Sequence, residues 1–304
     1  MTDFLQQLII GLRLGSVYAL VALGYTMVYG IIRLINFAHG DFIMVGGYTL
    51  YFTLYFTVPI LLHSMGLPAW TGVLAAIVIC ALVGVVVELV AYRPVRRKGT
   101  SMSALITAIA MSLLLENLAQ AIPAMGPNPR VISDEIFSTA PISIGGVSVN
   151  MAAVVTIIIA AIVMAALQLF VQKTKLGRAM RAVSENKEAS TLVGINVNRT
   201  IVTTFAIGSG LAAVAALMYC AQYHTVTTTM GSMLGLKAFV AAVMGGIGLI
   251  PGAMLGGIVV GIIEALVTAY ISSSLANAVV FLILIVMLLV KPAGILGKNV
   301  GEKV

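Results

Sequence analysis

Apolar residues run along this 304-residue chain in long blocks, broken only by short polar or charged connectors. Blocks of roughly the length that crosses a ~30 Å hydrocarbon layer as a helix fall near 8–30, 40–62, 68–91, 102–122, 149–170, 201–221, 252–270 and 276–290. A ninth block, 236–249, is shorter and carries Gly245, Gly246 and Gly248. That makes it a candidate broken or re-entrant helix, tolerable at membrane depth only when buried in protein. The pattern predicts an all-α polytopic membrane protein with eight or nine transmembrane helices.

Composition sharpens the reading. Apolar residues make up 61% of the chain and charged residues 9%, against about 45–50% and about 25% in soluble domains. The net charge of +7 would suit nucleic acid, but the basic residues sit in connectors, where they act as topology signals. Nucleic acid is therefore discounted as a partner, and membrane lipid is expected. The connector 91–100 holds Arg93, Arg96, Arg97 and Lys98, and the connector 171–200 holds Lys173, Lys175, Arg178, Arg181, Lys187 and Arg199. Both are expected on the cytoplasmic side. The connector 123–148, with Arg130 against Asp134 and Glu135, is expected outside, as two intervening spans require. Lys291, Lys298 and Lys303 place the C-terminus in the cytoplasm if four crossings follow residue 200. Nine spans then leave the N-terminus, with Asp3 as its charged side chain, extracytoplasmic. That N-terminus lacks a basic n-region, so the first block reads as a retained helix. One integral membrane domain over 1–304 fits these features.

Candidate chemistry is sparse. The nearest fragment to a phosphate-cradling loop, PAGILGKN, has Pro292 in place of the first glycine and Asn299 in place of Ser or Thr. No GxSxG elbow or aspartate pair suits intramembrane hydrolysis, so the chain is not expected to be an enzyme. Cys80 and Cys220 lie inside apolar blocks and read as small core residues. His39, His63 and His224 are far apart, so no metal site and no cofactor are expected on this chain. Ionisable residues inside apolar blocks mark functional sites by default; here they are Arg13, Asp41, Glu88, Glu116, Lys237 and Glu264. Arg13 can snorkel, and Glu88 can meet the 93–98 basic cluster. Glu116, Lys237 and Glu264 are candidates either for a polar pathway or for a buried ion pair.

Three further patterns carry expectations. Asn36, His39 and Asp41 interrupt the apolar pattern where one span hands over to the next, with Gly40 allowing a tight turn and Asp41 in a first helical turn. They read either as a polar boundary cap or as a gate or subunit contact. Gly248, Gly252 and Gly256 lie four apart, as do Gly257 and Gly261, a spacing that lets helix backbones approach closely in lipid. Residues 173–200 combine Ala179, Met180, Ala182, Val183, Ala189, Leu192 and Val193 at near-helical spacing. Ser184 is the expected cap of a new helix and Gly194 its end.

The segments YTMVYGIIRLINFAHGDFIMVGGY at 25–48, LGRAMRAVSENKEASTLVGINVNR at 176–199 and GLKAFVAAVMGGIGLIPGAMLGG at 235–257, with AYRPVR at 91–96 and PAGILG at 292–297, together resemble one family. It is the permease subunits of bacterial ABC importers for branched-chain amino acids, of the type ending shortly after its last span. The resemblance implies a multi-pass protein of the bacterial inner membrane that forms a translocation pathway for leucine, isoleucine or valine. It implies four kinds of partner: a second related permease, two cytoplasmic ATPases holding ATP and Mg, a periplasmic or lipid-anchored binding protein, and lipid. It marks the motif of Asn36, His39 and Asp41, which join the ionisable Glu116, Lys237 and Glu264 as pathway or gate candidates. It places an ATPase coupling loop at about 171–200, with Gly177, Arg178, Arg181, Glu185, Ala189, Gly194 and Asn196 as candidates. Related permeases serve urea or short amides, which is the alternative within the class. A stand-alone ion-coupled carrier is the alternative outside it, and such a carrier should show a denser relay of ionisable groups.

Overall fold

The computed structural model describes residues 2–55, 70–132, 141–144 and 147–297. His63, Asp134, Glu135, Lys298 and Lys303 lie outside the described residues, and the block 40–62 is described as far as Tyr55. Helix α1 (Thr2–Ile32) is followed by a 3-10 turn (Phe37–His39) and α2 (Asp41–Phe52). Helix α3 (Trp70–Val87) passes through a π-helical turn (Glu88–Tyr92) into α4 (Arg93–Lys98), and α5 (Ser101–Ala121) follows. After α6 (Met151–Lys173) come two short helices, α7 (Lys175–Glu185) and α8 (Lys187–Leu192), then α9 (Val197–Tyr223). Helices α10 (Met230–Gly245), α11 (Ile250–Tyr270) and α12 (Ser273–Val290) complete the bundle.

The ends of these helices follow from local chemistry. Thr100 and Ser103 form a reciprocal capping box at α5, and Asn150, Thr174, Asn186, Asn196 and Ser272 each accept a backbone N–H at the start of a helix. Pro94 and Pro251 sit in first turns, where a missing N–H costs nothing. Two small antiparallel ribbons decorate one end. Strand β1 (Arg130–Val131) pairs with β4 (Thr225–Val226), and β2 (Pro141–Ile144) pairs with β3 (Val147–Asn150).

Seven of the described helices are long and apolar enough to cross a membrane, while α10 is shorter. The chain is thus an all-α polytopic membrane protein. For the block 236–249 the structure corrects the bounds and the break: the helix starts at Met230 and runs unbroken to Gly245. Its glycines end the helix instead of breaking it, because Gly246 and Gly248 take φ of +102° and +97° in the turn to α11.

Helices α1, α9, α10 and α11 form the centre, and α3, α5, α6 and α12 lie outside them. The apolar window of α1 is 67% buried and that of α12 only 11%. Glycines set the central spacing. A Cβ at Gly252 or Gly256 would strike the backbone of Gly245 or Ala241 on α10, and one at Gly257 or Gly261 would strike Ala19 or Gly15 on α1. One helix therefore presents two small-residue faces to two neighbours, the geometry that dispersion favours where lipid offers no hydrophobic drive. Gly248 does not belong to either face; it lies in the turn, near Gly30.

Candidate functional site

The segment leaving α1 does not turn away from the bundle. Arg33 adopts φ of 58°, a left-handed conformation strained for a residue with a side chain, and its Nη2 donates to the Ser184 carbonyl at 3.1 Å. The chain then runs back into the protein. His39 is fully buried, edge-on to Tyr25 at 4.6 Å and to Phe42 at 5.8 Å. Its imidazole fills the place where a Cβ of Gly24 would stand, eight residues before the end of α1 and so about 12 Å inside it at 1.5 Å per residue. The three polar residues are therefore buried inside the bundle. Asn36 is held by Tyr92, whose hydroxyl donates to Asn36 Oδ1 at 2.6 Å. Gly40 is not a turn glycine: its φ and ψ are −58° and −39°, open to any residue. What it requires is space, since its Cα packs on Gly231 and Gly235 at the start of α10.

Helix α2 thus begins in the interior of the bundle, beside the first turn of α10. Asp41 opens α2 and is 1% exposed, placed where the helix dipole favours a carboxylate. The Ser112 hydroxyl of α5 faces its carboxyl, and Glu116, one turn further along, is near enough for its charge to act on it. Glu116 accepts hydrogen bonds from Ser232 at 3.1 Å and Gln120 at 3.4 Å. Beside them lies a cavity of about 210 Å³ lined by Tyr25, Phe37, Ile109, Ser112, Leu113, Glu116, Ser232 and Leu236. The cavity is well above the roughly 10–15 Å³ needed to admit a single water. Asn36 and His39 do not line it.

Lys237 and Glu264 are elsewhere. Lys237 Nζ donates to Glu264 Oε1 at 2.7 Å, Tyr18 donates to Glu264 Oε2 at 2.8 Å, and the ammonium stands 5.7 Å from the Tyr18 ring centre. These three groups lock α1, α10 and α11 together. Glu88, fully buried, pairs with Arg96 at 2.7 Å, and Arg96 reaches Asn198 at 3.3 Å.

The connector 171–200 is structured. Helix α7 buries Gly177, Met180 and Val183, with Arg178, Arg181 and Glu185 exposed. A Cβ at Gly177 would strike the carbonyls of Phe170 and Val171, so this glycine folds α7 back on α6. Ser184 does not cap the next helix; its hydroxyl donates to Arg181, and Asn186 is the cap of α8, accepting from Ala189 N–H at 2.9 Å. Ala189 is exposed, as are Leu192 and Val193. Gly194 ends α8 at φ of +83°, and Asn196 caps α9. Lys187 is pushed below the usual lysine range, first by partial burial and then by Arg96 and Arg33 nearby. Tyr18, Tyr92, Ser112, Ser232 and Arg33 carry no signal in the sequence pattern, because a lone hydroxyl or an arginine in a connector looks ordinary until its distant partner is known.

Residues 7–290 match the family model described as branched-chain amino acid transport system / permease component. The chain is 41% identical over 309 residues to the high-affinity branched-chain amino acid transport system permease protein BraD of Pseudomonas aeruginosa, covering 99% of this chain and 98% of the relative. It is 42% identical over 310 residues to the similarly described LivH of Salmonella typhimurium, with the same coverage. A probable branched-chain amino acid transport permease protein of Methanocaldococcus jannaschii is 27% identical over 249 residues, 80% of this chain and 74% of the relative.

Proposed function

We propose a function from one premise: this chain belongs to the family of permease components of branched-chain amino acid transport systems. It is a transporter subunit, and it forms half of the membrane pathway of an ATP-driven importer for leucine, isoleucine and valine. A second related permease forms the other half, two cytoplasmic ATPases hold ATP and Mg, and a periplasmic or lipid-anchored binding protein delivers the cargo. The chain crosses the bacterial inner membrane eight or nine times as one domain, 1–304. Its C-terminus and the 171–200 loop face the cytoplasm, and its N-terminus and the 123–148 loop face outside.

The observation that carries the coupling is the α7–α8 elbow. An exposed helix of six residues ending in Leu192 and Val193, on a base fixed by Met180 and Val183, is a rigid apolar knob fit for a groove on an ATPase. Arg178, Arg181, Glu185 and Ala189 flank it, whereas Gly177 and Asn196 shape it from within. The Arg33 contact with Ser184 connects this elbow to the segment that enters the bundle, which gives docking a route toward Asp41. The ion-coupled carrier is disfavoured by pairing: Lys237 and Glu264 are bound to each other and do not form a chain of proton sites. The test is copurification of the ATPases with Leu192→Asp and Val193→Asp variants together with leucine uptake. Loss of both is expected; retention of both would move the docking site elsewhere. Uphill leucine uptake by the purified chain alone under a proton gradient would overturn the ATP-driven reading.

A further inference from the structure

The cavity beside α5 has two unlike ends. Its aliphatic wall is made by Ile109, Leu113 and Leu236, and its polar end by Ser112, Glu116 and Ser232. Behind the polar end lies Asp41, with its Oδ2 buried and without a hydrogen-bond partner. Among the described residues neither Asp41 nor Glu116 takes part in an ion pair, since the described pairs are Glu88 with Arg96 and Glu264 with Lys237. Glu116 is met only by neutral donors, Ser232 and Gln120. Two carboxyls within reach of each other in apolar surroundings, without a resident cation, are costly to leave as they stand.

We infer that this cavity is a transit site for the primary ammonium of an amino-acid cargo, bound by Glu116 with the buried Asp41 carboxyl behind it, while the cargo's aliphatic side chain rests on Ile109, Leu113 and Leu236. An ammonium offers three donors, enough for the Glu116 carboxylate and the Ser112 and Ser232 hydroxyls that line the polar end. A neutral amide such as urea brings no charge to offset the two carboxyls. The site thus selects for charge along the pathway, after the binding protein has selected for shape. The inference rests on the importer reading and adds to it the group that the pathway recognises.

The test uses the complete importer, with both permeases, both ATPases and the binding protein, reconstituted in vesicles and supplied with radiolabelled leucine. Glu116→Gln keeps size and hydrogen bonding and removes the charge. Its complex should copurify intact while leucine uptake falls roughly tenfold or more, the loss of one charged hydrogen bond. Glu116→Asp should recover a substantial part. Unchanged uptake in Glu116→Gln would overturn the transit site, as would equal loss in Gln and Asp variants, which is what a purely structural role gives. Should Glu116→Gln fail to assemble, Ser112→Ala is read in its place: reduced uptake supports the site and unchanged uptake overturns it. A wild-type complex that carries labelled urea and not leucine would instead refute the amino-acid cargo of the proposed function, so the two failures are distinguishable.

Discussion

Lys237 with Glu264 and Asp41 with Glu116 are two sets of ionisable groups set among the apolar helices, and the fold treats them in opposite ways. Glu264 has a cation at 2.7 Å and a tyrosine at 2.8 Å; the lock is complete and borders no cavity that holds Asp41 or Glu116. Among the described residues, Asp41 has an oxygen without a hydrogen-bond partner and Glu116 has neutral partners only, beside open space. Depth alone therefore does not mark function. On the transit-site proposal, what separates a structural charge from a functional one here is whether the protein supplies its own counter-ion.

The bluntest way to break the comparison is to move the helices that hold the lock. Gly256→Leu would drive a side chain into the Ala241 backbone and part α10 from α11, separating Lys237 from Glu264. A loss of about 3 kcal/mol or more is expected, at or beyond the usual cost of overpacking, read as a lower thermal midpoint and a lower yield of monodisperse protein. Next in size is Lys237→Met, which strands Glu264. Removing one partner of a buried pair costs about 3 kcal/mol, and the Lys237→Met/Glu264→Gln double variant should recover most of the lost midpoint. A double variant no better than the single would mean the pair is not a self-contained lock.

The apolar blocks made the bundle legible, and the first-turn position of Asp41 was legible from sequence as well. The depth at which α2 begins was not. Hydropathy reports that 40–62 can cross lipid, but not that the chain climbs back beside Gly24 before the helix starts. Gly40 was read locally, as a turn glycine, whereas it answers to a backbone packed against it, as Gly177 does. Glu264 finds Lys237 27 residues away and Tyr18 246 residues away, a contact made by α11 lying between α1 and α10, which no local pattern encodes. The elbow shows the same limit on a small scale: Ser184 and Asn186 are both good caps, and only the observed break between α7 and α8 chooses Asn186.

Smaller effects sharpen the link between the unpaired carboxyls and the α7–α8 elbow. Arg33→Gly relieves a left-handed backbone but removes the hydrogen bond to Ser184, so stability should change by under about 1 kcal/mol. Leucine taken up per ATP hydrolysed should nevertheless fall; an unchanged ratio would remove Arg33 from the coupling route. The smallest effect is at Lys187, held below the usual lysine range by burial, Arg96 and Arg33. Its folded state binds the proton less readily than the unfolded chain, so stability should rise as pH climbs through the lowered value toward the ordinary one. Lys187→Gln should abolish that rise in thermal midpoint between neutral and alkaline pH.

The most direct measurement sets the two sets of charges side by side in the same complete importer, recording thermal midpoint and leucine uptake for Glu116→Gln and for the Lys237→Met/Glu264→Gln double variant. The account predicts that Glu116→Gln keeps its midpoint and loses uptake, while the double variant keeps most of its uptake with a modestly lowered midpoint. The reverse pattern, uptake retained in Glu116→Gln and abolished in the assembled double variant, would contradict it.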